Sequence, residues 1–315
     1  MTTRVLITID TEFLWRPDRL REGWESLFAR SCEPAGVGIS YQLLMLARHG
    51  LKACFFVDPM PACLFGLDPL KRMIAPILDA GQEVQLHLHP QWARARIDGG
   101  TESVFELTGL DEAGQRELIA RARDLLTAAG APSPIAFRAG SYAANDATLR
   151  VLASLGFVYD SSHNGCQQPW PSAISLPPRQ IAPVRHEGMI ELPITQIAEG
   201  GGLRHLQICA VSAAEMAAAL DHAAGAGHAA VTIVSHSFEL ASRNGARANR
   251  IHAGRFEVLC AMLADRKAEL PTSWFADLRD LPLRRDDRPL PHHPARAASR
   301  RIAQLWSNLV HERAA

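Results

Sequence analysis

The sequence predicts an α/β fold built on a parallel sheet, because short apolar segments alternate with longer segments of helical periodicity. The chain has 315 residues, and polar residues stand at the ends of several predicted strands. A parallel sheet is wound either as a barrel or as a doubly wound layer, and the alternation fits both. The length favours one catalytic domain with a tail over two equal domains.

The predicted strands are short, largely apolar segments that end at a polar residue or a turn. They cover residues 5–9, 53–57, 83–89, 135–138, 157–159, 189–194 and 230–235. The predicted helices cover residues 39–49, 69–80, 111–130, 145–156, 212–225 and 255–267. Asp111 is expected to cap its helix, and Ser212 with Glu215 forms a capping-box pattern.

Three segments lack the composition of a core. Residues 14–38 form a long insertion after the first strand, and residues 161–188 are rich in proline and polar side chains. Residues 284–294 are expected to form a linker, followed by an amphipathic helix over 295–310. We therefore expect a catalytic domain over residues 1–283 and a tail over residues 284–315. The tail helix is expected to pack on the domain, with docking on a partner subunit or an anionic membrane as the alternative.

The composition argues against several classes of function. With 33 basic and 33 acidic side chains, the chain has no net charge and lacks the basic field of a nucleic-acid-binding protein. No apolar stretch is long enough for a transmembrane segment, and early acidic residues argue against a signal peptide. We expect a cytoplasmic protein with its six cysteines reduced, and we leave open whether it forms a homo-oligomer.

The residues that carry chemistry stand at predicted strand ends. They are Asp10 and Glu12 after the first strand, His87 and His89 after another, and Arg138, Asp160 and His236 after three more. Because the carboxyl ends of parallel strands open on one face of a sheet, we expect these residues to converge there.

His87 and His89 are candidates for a metal site. Residues i and i+2 of an extended segment point the same way, so the pair presents two imidazoles to one point. One carboxylate of Asp10 and Glu12 would complete a site with open positions for water and substrate, while the other takes a proton from water. The alternatives are two partly exposed histidines and two acids that cap loop amides.

Two further strand-end residues allow two interpretations each. A buried Arg138 needs a carboxylate partner, which either Asp10 or Asp160 would provide. His236 follows a very apolar strand and is either a core histidine or a general acid. The catalytic interpretation of both residues depends on the convergence of the strand ends.

Five segments resemble, in order, the motifs of the polysaccharide deacetylase family, which is the NodB-homology or carbohydrate esterase family 4 group. They are TIDTE at 8–12, GQEVQLHLHP at 81–90, FRAGSY at 137–142, YDSS at 159–162 and TIVSHSFEL at 232–240. The resemblance covers residues 4–275 and implies a distorted parallel (β/α)7-type barrel. The chain departs from the family pattern at the acidic pair D-x-E, the pair H-x-H and Ala139, so it resembles a divergent H-x-H branch.

The resemblance implies a catalytic role for several residues. Asp10 would be the catalytic base, oriented by Arg138, which Asp160 would support. The backbone N–H of Tyr142 would help to stabilise the oxyanion, and His236 would protonate the leaving amine. The implied reaction is attack of metal-activated water on an N-acetyl carbonyl, with release of acetate.

The resemblance also implies the cofactor. Glu12, His87 and His89 would bind one divalent metal ion. Zn²⁺ is the first expectation, and Co²⁺, Mn²⁺ or Ni²⁺ are the alternatives. The implied substrate is an N-acetylated sugar or polysaccharide.

Aromatic, arginine and hydroxyl side chains near the site are candidates for binding this substrate. They are Trp15 and Arg16 in the insertion, Trp92, Ser141 and Trp170. The alternative for the tryptophans is packing on the barrel. Two other functions stay open: a deformylase or other small-amide hydrolase of the same fold, and a catalytically inactive carbohydrate-binding or scaffold protein.

Overall fold

The structure is a computed structural model that describes residues 2–283 and 286–308. Its strands are β1 (Arg4–Thr11), β2 (Ala53–Val57), β3 (Glu83–Leu88), β4 (Ala136–Ala139), β5 (Tyr159–Asp160), β6 (Val184–His186), β7 (Met189–Glu191), β8 (Gln196–Glu199), β9 (Gly202–His205) and β10 (Ala230–His236). Its α-helices are α1 (Trp24–Ser31), α2 (Ile39–His49), α3 (Ala62–Phe65), α4 (Asp68–Asp79), α5 (Glu112–Ala128), α6 (Asp146–Ser154), α7 (Ala213–Ala226), α8 (Arg250–Asp265) and α9 (Pro294–Ser307).

The main sheet has the strand order β10-β1-β2-β3-β4-β5-β7-β6. Each neighbouring pair is parallel except β7 with β6. From β1 to β7 the order follows the chain, as in a barrel, whereas a doubly wound sheet reverses direction. The free edge of β10 is covered by loop backbone, since Ile208 N donates to Val234 O at 3.0 Å. The predicted distorted (β/α)7-type barrel is therefore confirmed, as a curled and incompletely closed parallel sheet.

Continuous apolar runs form the buried centre of this sheet. All five residues of β2 are buried, and β1 is buried from Val5 onward. Strands that are covered on both faces need such continuous apolar sequence. This is why the predictions for β1, β2 and β10 hold to within one or two residues.

The helix starts follow from their capping residues. The side chain of Asp111 accepts from Gly114 N at 2.8 Å, as predicted. Ser212 and Glu215 form the predicted reciprocal box, in which Glu215 N donates to Ser212 Oγ at 3.2 Å and Ser212 N donates to Glu215 Oε2 at 2.9 Å. These bonds satisfy amide groups that the first helical turn leaves unpaired.

Several predicted boundaries are wrong where tertiary contacts decide. Helix α8 begins at Arg250 rather than at 255, because Asn249 caps it by accepting from Ile251 N and His252 N. Strands β5 and β7 are shorter than predicted, and β6, β8 and β9 were not predicted. Their residues lack a clear period of two, so pairing with neighbours rather than local pattern selects the extended backbone.

The insertion over residues 14–38 belongs to the core, contrary to the expectation. It folds into a 3-10 turn and α1, and Leu20 and Leu27 are fully buried. The ring of Phe28 packs edge-on against Phe13 at 6.4 Å. The second polar segment, 161–188, is also partly buried, since Ile174 and Ile181 lie in the interior. Scattered apolar residues in an irregular segment give no periodic signal, which explains both errors.

The tail helix lies on the barrel in the structure. It corresponds to α9, whereas residues 284 and 285 of the predicted linker and residues 309 and 310 of the predicted helix lie outside the described residues. Arg300 contacts Glu199 and donates from Nε to Glu215 Oε1 at 3.2 Å. The opposite face exposes Ile302, Leu305 and Trp306. None of the helices in the described residues has the length and apolar character needed to cross a membrane.

The insertion makes a testable contribution to stability. Phe28 is 4% exposed, so Phe28→Ala should remove about 3–5 kcal/mol of unfolding free energy by loss of burial and by cavity formation. Phe105 is 53% exposed, and Phe105→Ala should cost under about 1 kcal/mol. Denaturant unfolding of both variants measures the difference. Equal losses would show that the insertion does not pack as described.

Candidate active site

The predicted strand-end residues converge at the carboxyl edge of the sheet. In the strand register Asp10 of β1 lies opposite His236 of β10, and His87 of β3 lies opposite Arg138 of β4. Asp160 of β5 follows on the next strand. Five adjacent or nearby strands thus deliver side chains to one region, as the parallel topology requires.

Glu12, His87 and His89 form a compact ligand cluster. Their nearest nitrogen and oxygen atoms all lie within 4.8 Å of one another. Oε2 of Glu12 is 3.5 Å from His87 Nε2 and also contacts His89 Nε2. The two imidazole rings are 5.0 Å apart and steeply inclined, at 77°. The H-x-H spacing therefore does bring both rings to one point beside a carboxylate.

The orientation of His87 suits a metal ligand. Its Nδ1 lies 2.8 Å from the carbonyl oxygen of Arg138. A carbonyl only accepts, so Nδ1 carries a proton, and Nε2 is the nitrogen that faces Glu12. A metal-binding histidine is usually held by such a second hydrogen bond.

The surroundings of His89 also fit a bound cation. Gln91 Nε2 is 3.4 Å from His89 Nδ1, and among the described residues the buried Gln91 Oε1 has no hydrogen-bond partner. If the Gln91 amide is turned by 180°, its Oε1 accepts a hydrogen bond from His89 Nδ1–H. The Nε2 atom of His89 is then available as a metal ligand. The donor set of two imidazoles and one carboxylate is one that Zn²⁺ uses in catalytic sites. The residues present therefore fit a divalent metal.

The charges of the cluster stabilise one another. Burial acts to raise the pKa of Glu12, but His89 and His87 outweigh it and hold that pKa well below its usual range. Burial acts to lower the pKa of His89, but the charge and hydrogen bond of Glu12 raise it to about 9. The proton shared within this cluster is the one that a metal ion would displace.

Of its two predicted carboxylate partners, Arg138 binds Asp10. Its Nη1 donates to Asp10 Oδ1 at 2.7 Å and to Thr8 Oγ1 at 2.9 Å. Its Nε donates to Ser161 O at 3.0 Å, and its Nη2 donates to Ser161 Oγ at 3.1 Å. The guanidinium lies over the ring of Phe56 at 4.4 Å. Asp10 is thus fixed by a fully buried cation.

Asp160 does not bond to Arg138 directly, although the charge of Arg138 acts to lower the pKa of Asp160, which burial raises. Within the described part of the chain, no hydrogen bond or ion pair joins the two side chains. Asp160 instead accepts from Ser162 N at 2.9 Å and Ser162 Oγ at 2.8 Å, and Ser162 Oγ accepts from Ala139 N at 3.0 Å. Asp160 therefore holds the loop after β5, whose Ser161 contacts Arg138.

A second buried acid, Glu191, lies against Asp160. Burial and then the charge of Asp160 raise the pKa of Glu191 well above its usual range. Its Oε1 accepts from His163 N at 2.9 Å. Two neighbouring carboxyl groups in the interior do not both ionise readily, so the proton stays on Glu191 beside the charged Asp160.

His236 is paired with an acid that the sequence reasoning missed. Its Nδ1 lies 3.0 Å from Glu239 Oε2, and its Nε2 lies 3.8 Å from Asp10 Oδ2. Burial acts to lower the pKa of His236, but the Glu239 hydrogen bond and the charges of Asp10 and Glu239 raise it to about 9. The segment HSFE contains the signal, because residues i and i+3 of a tight turn lie close together.

The turn after β4 adopts an uncommon backbone. Ser141 and Tyr142 have φ values of 54° and 59°, a region that non-glycine residues rarely enter. Each such residue costs on the order of 1–3 kcal/mol, and such strain often marks functional sites. Ser141 is exposed at the site, whereas the Tyr142 side chain is buried.

Gly140 in the same turn is a site residue that was not predicted. A Cβ atom at this position would lie 2.5 Å from Cε1 and Nδ1 of His89. Real Cβ contacts are never this short, so only glycine leaves room for the imidazole. Glycine in the FRAGSY motif is thus a packing partner of a candidate metal ligand.

Two acids near the cluster were also missed. Asp58 is buried at the end of β2 and accepts from Met60 N at 2.9 Å. Burial raises its pKa to about 6, helped by Glu12 and opposed by His89 and His87. Asp58 directly follows the predicted strand ACFFV, so the convergence of polar residues at strand ends could have predicted it as a site residue. Glu106, whose charge helps to raise the pKa of His89, lies in an irregular segment, where the strand-end rule gives no signal.

The predicted substrate-binding residues have mixed outcomes. Trp92 is wrong as a wall of the site, because its ring is fully buried and packs edge-on against Trp15 at 4.8 Å. Trp15 is half-buried over it, and Arg16 donates to the carbonyl of Arg243. Trp170 is 67% exposed, and no contact joins it to the ligand cluster in residues 2–283 or 286–308.

No family model matches the sequence, and no curated protein matches it. Solved structures match its fold. A protein from Mycobacterium smegmatis described as a polysaccharide deacetylase matches over 92% of this chain and 96% of its own, with a TM-score of 0.59 and 18% identity. A family 4 carbohydrate esterase from Streptomyces lividans matches over 92% and 98%, with a TM-score of 0.43 and 15% identity. A 4-alpha-glucanotransferase from Thermococcus litoralis matches over 88% and 40%, with a TM-score of 0.50 and 9% identity.

The chain therefore has the fold that the motifs implied, which is also the fold of the Mycobacterium smegmatis structure. The glucanotransferase shows that similar barrels also carry other chemistry. Function on such a fold has to be argued from the side chains of the site.

Gly140 allows a direct test of the ligand cluster. Gly140→Ala should displace the His89 ring and weaken binding of Zn²⁺ or Co²⁺ by about tenfold or more, as lost ligand support typically does. Gly201→Ala is the control, because nothing lies within 4 Å of a Cβ there. Metal titration by calorimetry compares the variants. Unchanged affinity in Gly140→Ala would contradict the described packing.

Glu239 should control the protonation of His236. Glu239→Gln removes the hydrogen bond and charge of Glu239, which contribute to raising the pKa of His236 to about 9, and leaves the charge of Asp10 in place. The pKa of His236 should therefore fall from about 9 toward the ordinary value of about 6.5. Because the folded pKa is raised, the stabilisation from protonated His236 is present below about pH 6.5 and is lost as pH rises through 9. An NMR titration of the ring measures the shift, with exposed Glu117→Gln as control. A pKa that stays near 9 would refute the pairing.

Proposed function

We propose that the protein is a metal-dependent hydrolase of amide bonds that deacetylates an N-acetylated sugar or polysaccharide. The observation that carries the proposal is the ligand cluster of Glu12, His87 and His89 beside an arginine-held Asp10 and a protonated His236. Amide hydrolysis needs a base for water and an acid for the leaving nitrogen. The site supplies both within one buried region.

Glu12, His87 and His89 would hold the metal. When bound, a divalent ion at these residues would polarise the amide carbonyl and lower the pKa of water. Zn²⁺ is our first proposal, because two imidazoles with one carboxylate suit this ion.

The remaining steps belong to the protein side chains. Asp10, held by Arg138 at 2.7 Å, takes up the proton of the attacking water. Protonated His236 is 3.8 Å from Asp10, so it reaches the same reacting group and donates its proton to the leaving nitrogen. The strained turn at Tyr142 offers backbone N–H groups for the oxyanion.

Substitutions of a candidate metal ligand and of the candidate base test the proposed function. His87→Ala should lose the metal that co-purifies with the wild type and should lose hydrolysis. Asp10→Asn should keep the metal and lower the rate of hydrolysis by about 10²–10⁴-fold, the usual contribution of a general base. The controls are His292→Ala and Asp18→Asn, which change exposed residues.

Metal content is measured by mass spectrometry, and product by acetate release from chitotetraose. Formate release from an N-formyl analogue without acetate release would favour the deformylase. Absence of both metal and product from the wild type would favour the inactive binding protein and overturn our proposal. A cytoplasmic location is proposed with the function and is tested by cell fractionation.

A further inference from the structure

Asp58, at the end of β2, is a buried acid that the proposed chemistry does not use. The residue is 1% exposed. One of its carboxylate oxygens, Oδ1, accepts from Met60 N at 2.9 Å. The other oxygen, Oδ2, is also buried, and no group elsewhere in the described chain forms a hydrogen bond to it. Such an atom is costly to bury unless a donor or a cation compensates it.

The turn that follows β2 does not require a charge at position 58. The bond from Met60 N to Oδ1 closes a local turn, and an asparagine side chain makes the same kind of bond. Asparagine would also avoid the cost of taking a negative charge out of water. The ion pairs of the ligand cluster leave Asp58 out, within the part of the chain that is described. Local structure therefore does not account for a carboxylate here.

The strand register places Asp58 beside the ligand cluster. Strand β2 lies between β1 and β3, and Val57 pairs with the two residues that directly precede Glu12 and His87. The backbone N–H of Asp58 donates to Thr11 O at 3.0 Å, so the pairing of β2 with β1 continues to this residue. Asp58 therefore follows the strand that separates these two candidate ligands, at the same level of the sheet.

The charges that act on Asp58 are those of the ligand cluster. Burial raises the pKa of Asp58 most, and among its charged neighbours His89 and His87 act to lower this pKa while Glu12 acts to raise it. The carboxylate therefore lies within electrostatic range of all three candidate ligands. Asp58 is not one of the three residues whose ligand atoms lie within 4.8 Å of one another. It is a neighbour of the cluster and not a member of it.

We infer that Asp58 is the second carboxylate of the metal site, which stabilises a divalent cation by its charge from a position outside the ligand cluster. Together with Glu12 it supplies two negative charges, which balance the two positive charges of such an ion. The attraction is strong here because a buried pair of charges is little screened by water. The inference rests on the proposed function and deepens it, since it assigns to this chain a residue that favours a divalent ion at that same site.

Titration of Co²⁺ into the metal-free full chain, followed by visible absorption, tests the inference. Asp58→Asn keeps an acceptor for Met60 N and removes the charge. We expect the dissociation constant for Co²⁺ to rise about 10–100-fold, the usual effect of losing a group that supports metal ligands. Glu83→Gln is the matched control, because Glu83 also accepts backbone N–H groups but stands at the start of β3, at the opposite edge of the sheet. Equal Co²⁺ affinity in the wild type and Asp58→Asn overturns the inference.

Two further readouts separate this role from a merely structural one. At saturation, the absorption bands of Co²⁺ bound to Asp58→Asn should match those of the wild type, because the three ligands are unchanged. Altered bands would make Asp58 a ligand and contradict its position outside the cluster. Without metal, Asp58→Asn should unfold at the same denaturant concentration as the wild type or at a higher one, since a buried charge has been removed. Lower stability together with weaker Co²⁺ binding would show a structural role and overturn the inference.

These measurements need no substrate, so they can fail independently of the proposed hydrolysis. Weaker Co²⁺ binding by Asp58→Asn, without acetate release from chitotetraose by the wild type, would support the role of Asp58 and count against the deacetylase. Acetate release by the wild type, with unchanged Co²⁺ affinity in Asp58→Asn, would keep the hydrolase and overturn the inference. Absence of Co²⁺ binding by the wild type would overturn both.

Discussion

The buried guanidinium of Arg138 is the contact on which the rest of the site depends. It binds Thr8 and Asp10 of β1 and the loop after β5, and it lies on Phe56 of β2. Its own backbone carbonyl holds His87 of β3. One residue thus ties four strand ends together, so the positions of the candidate base and of a candidate metal ligand are linked. Because a buried guanidinium must keep its acceptors to offset the loss of water, Arg138 holds these strand ends in one arrangement.

Much of the fold could be predicted because its central strands are continuously apolar and its helices carry standard caps. Helix α2 and strand β2 have the predicted bounds, and the capping box of Ser212 is present. The rest depends on tertiary contacts. The short strands β6, β8 and β9 have no period of two that would predict them, and the insertion at 14–38 is buried through isolated residues such as Leu20.

The candidate site shows the same division. Strand ends identified Asp10, His87 and His236, since topology alone brings them together. Their roles stay predictions. Glu239 was missed although it follows His236 by three residues, and Trp92 was misplaced because an aromatic residue next to a site is as often core as wall. Arg30 of α1 and Arg204 of β9 line one cavity although they are far apart in sequence, so no local sequence pattern predicts that they are close.

The contact between Gly140 and His89 has a consequence for how such a site changes during evolution. The two positions come from different motifs, yet the imidazole occupies the volume that a side chain at 140 would take. A lineage that lost the histidine would be free to gain a larger residue at 140, and that larger residue would then block the histidine from returning. Loss of the histidine would therefore be hard to reverse. In related chains, a glycine at position 140 is expected wherever this imidazole has been kept.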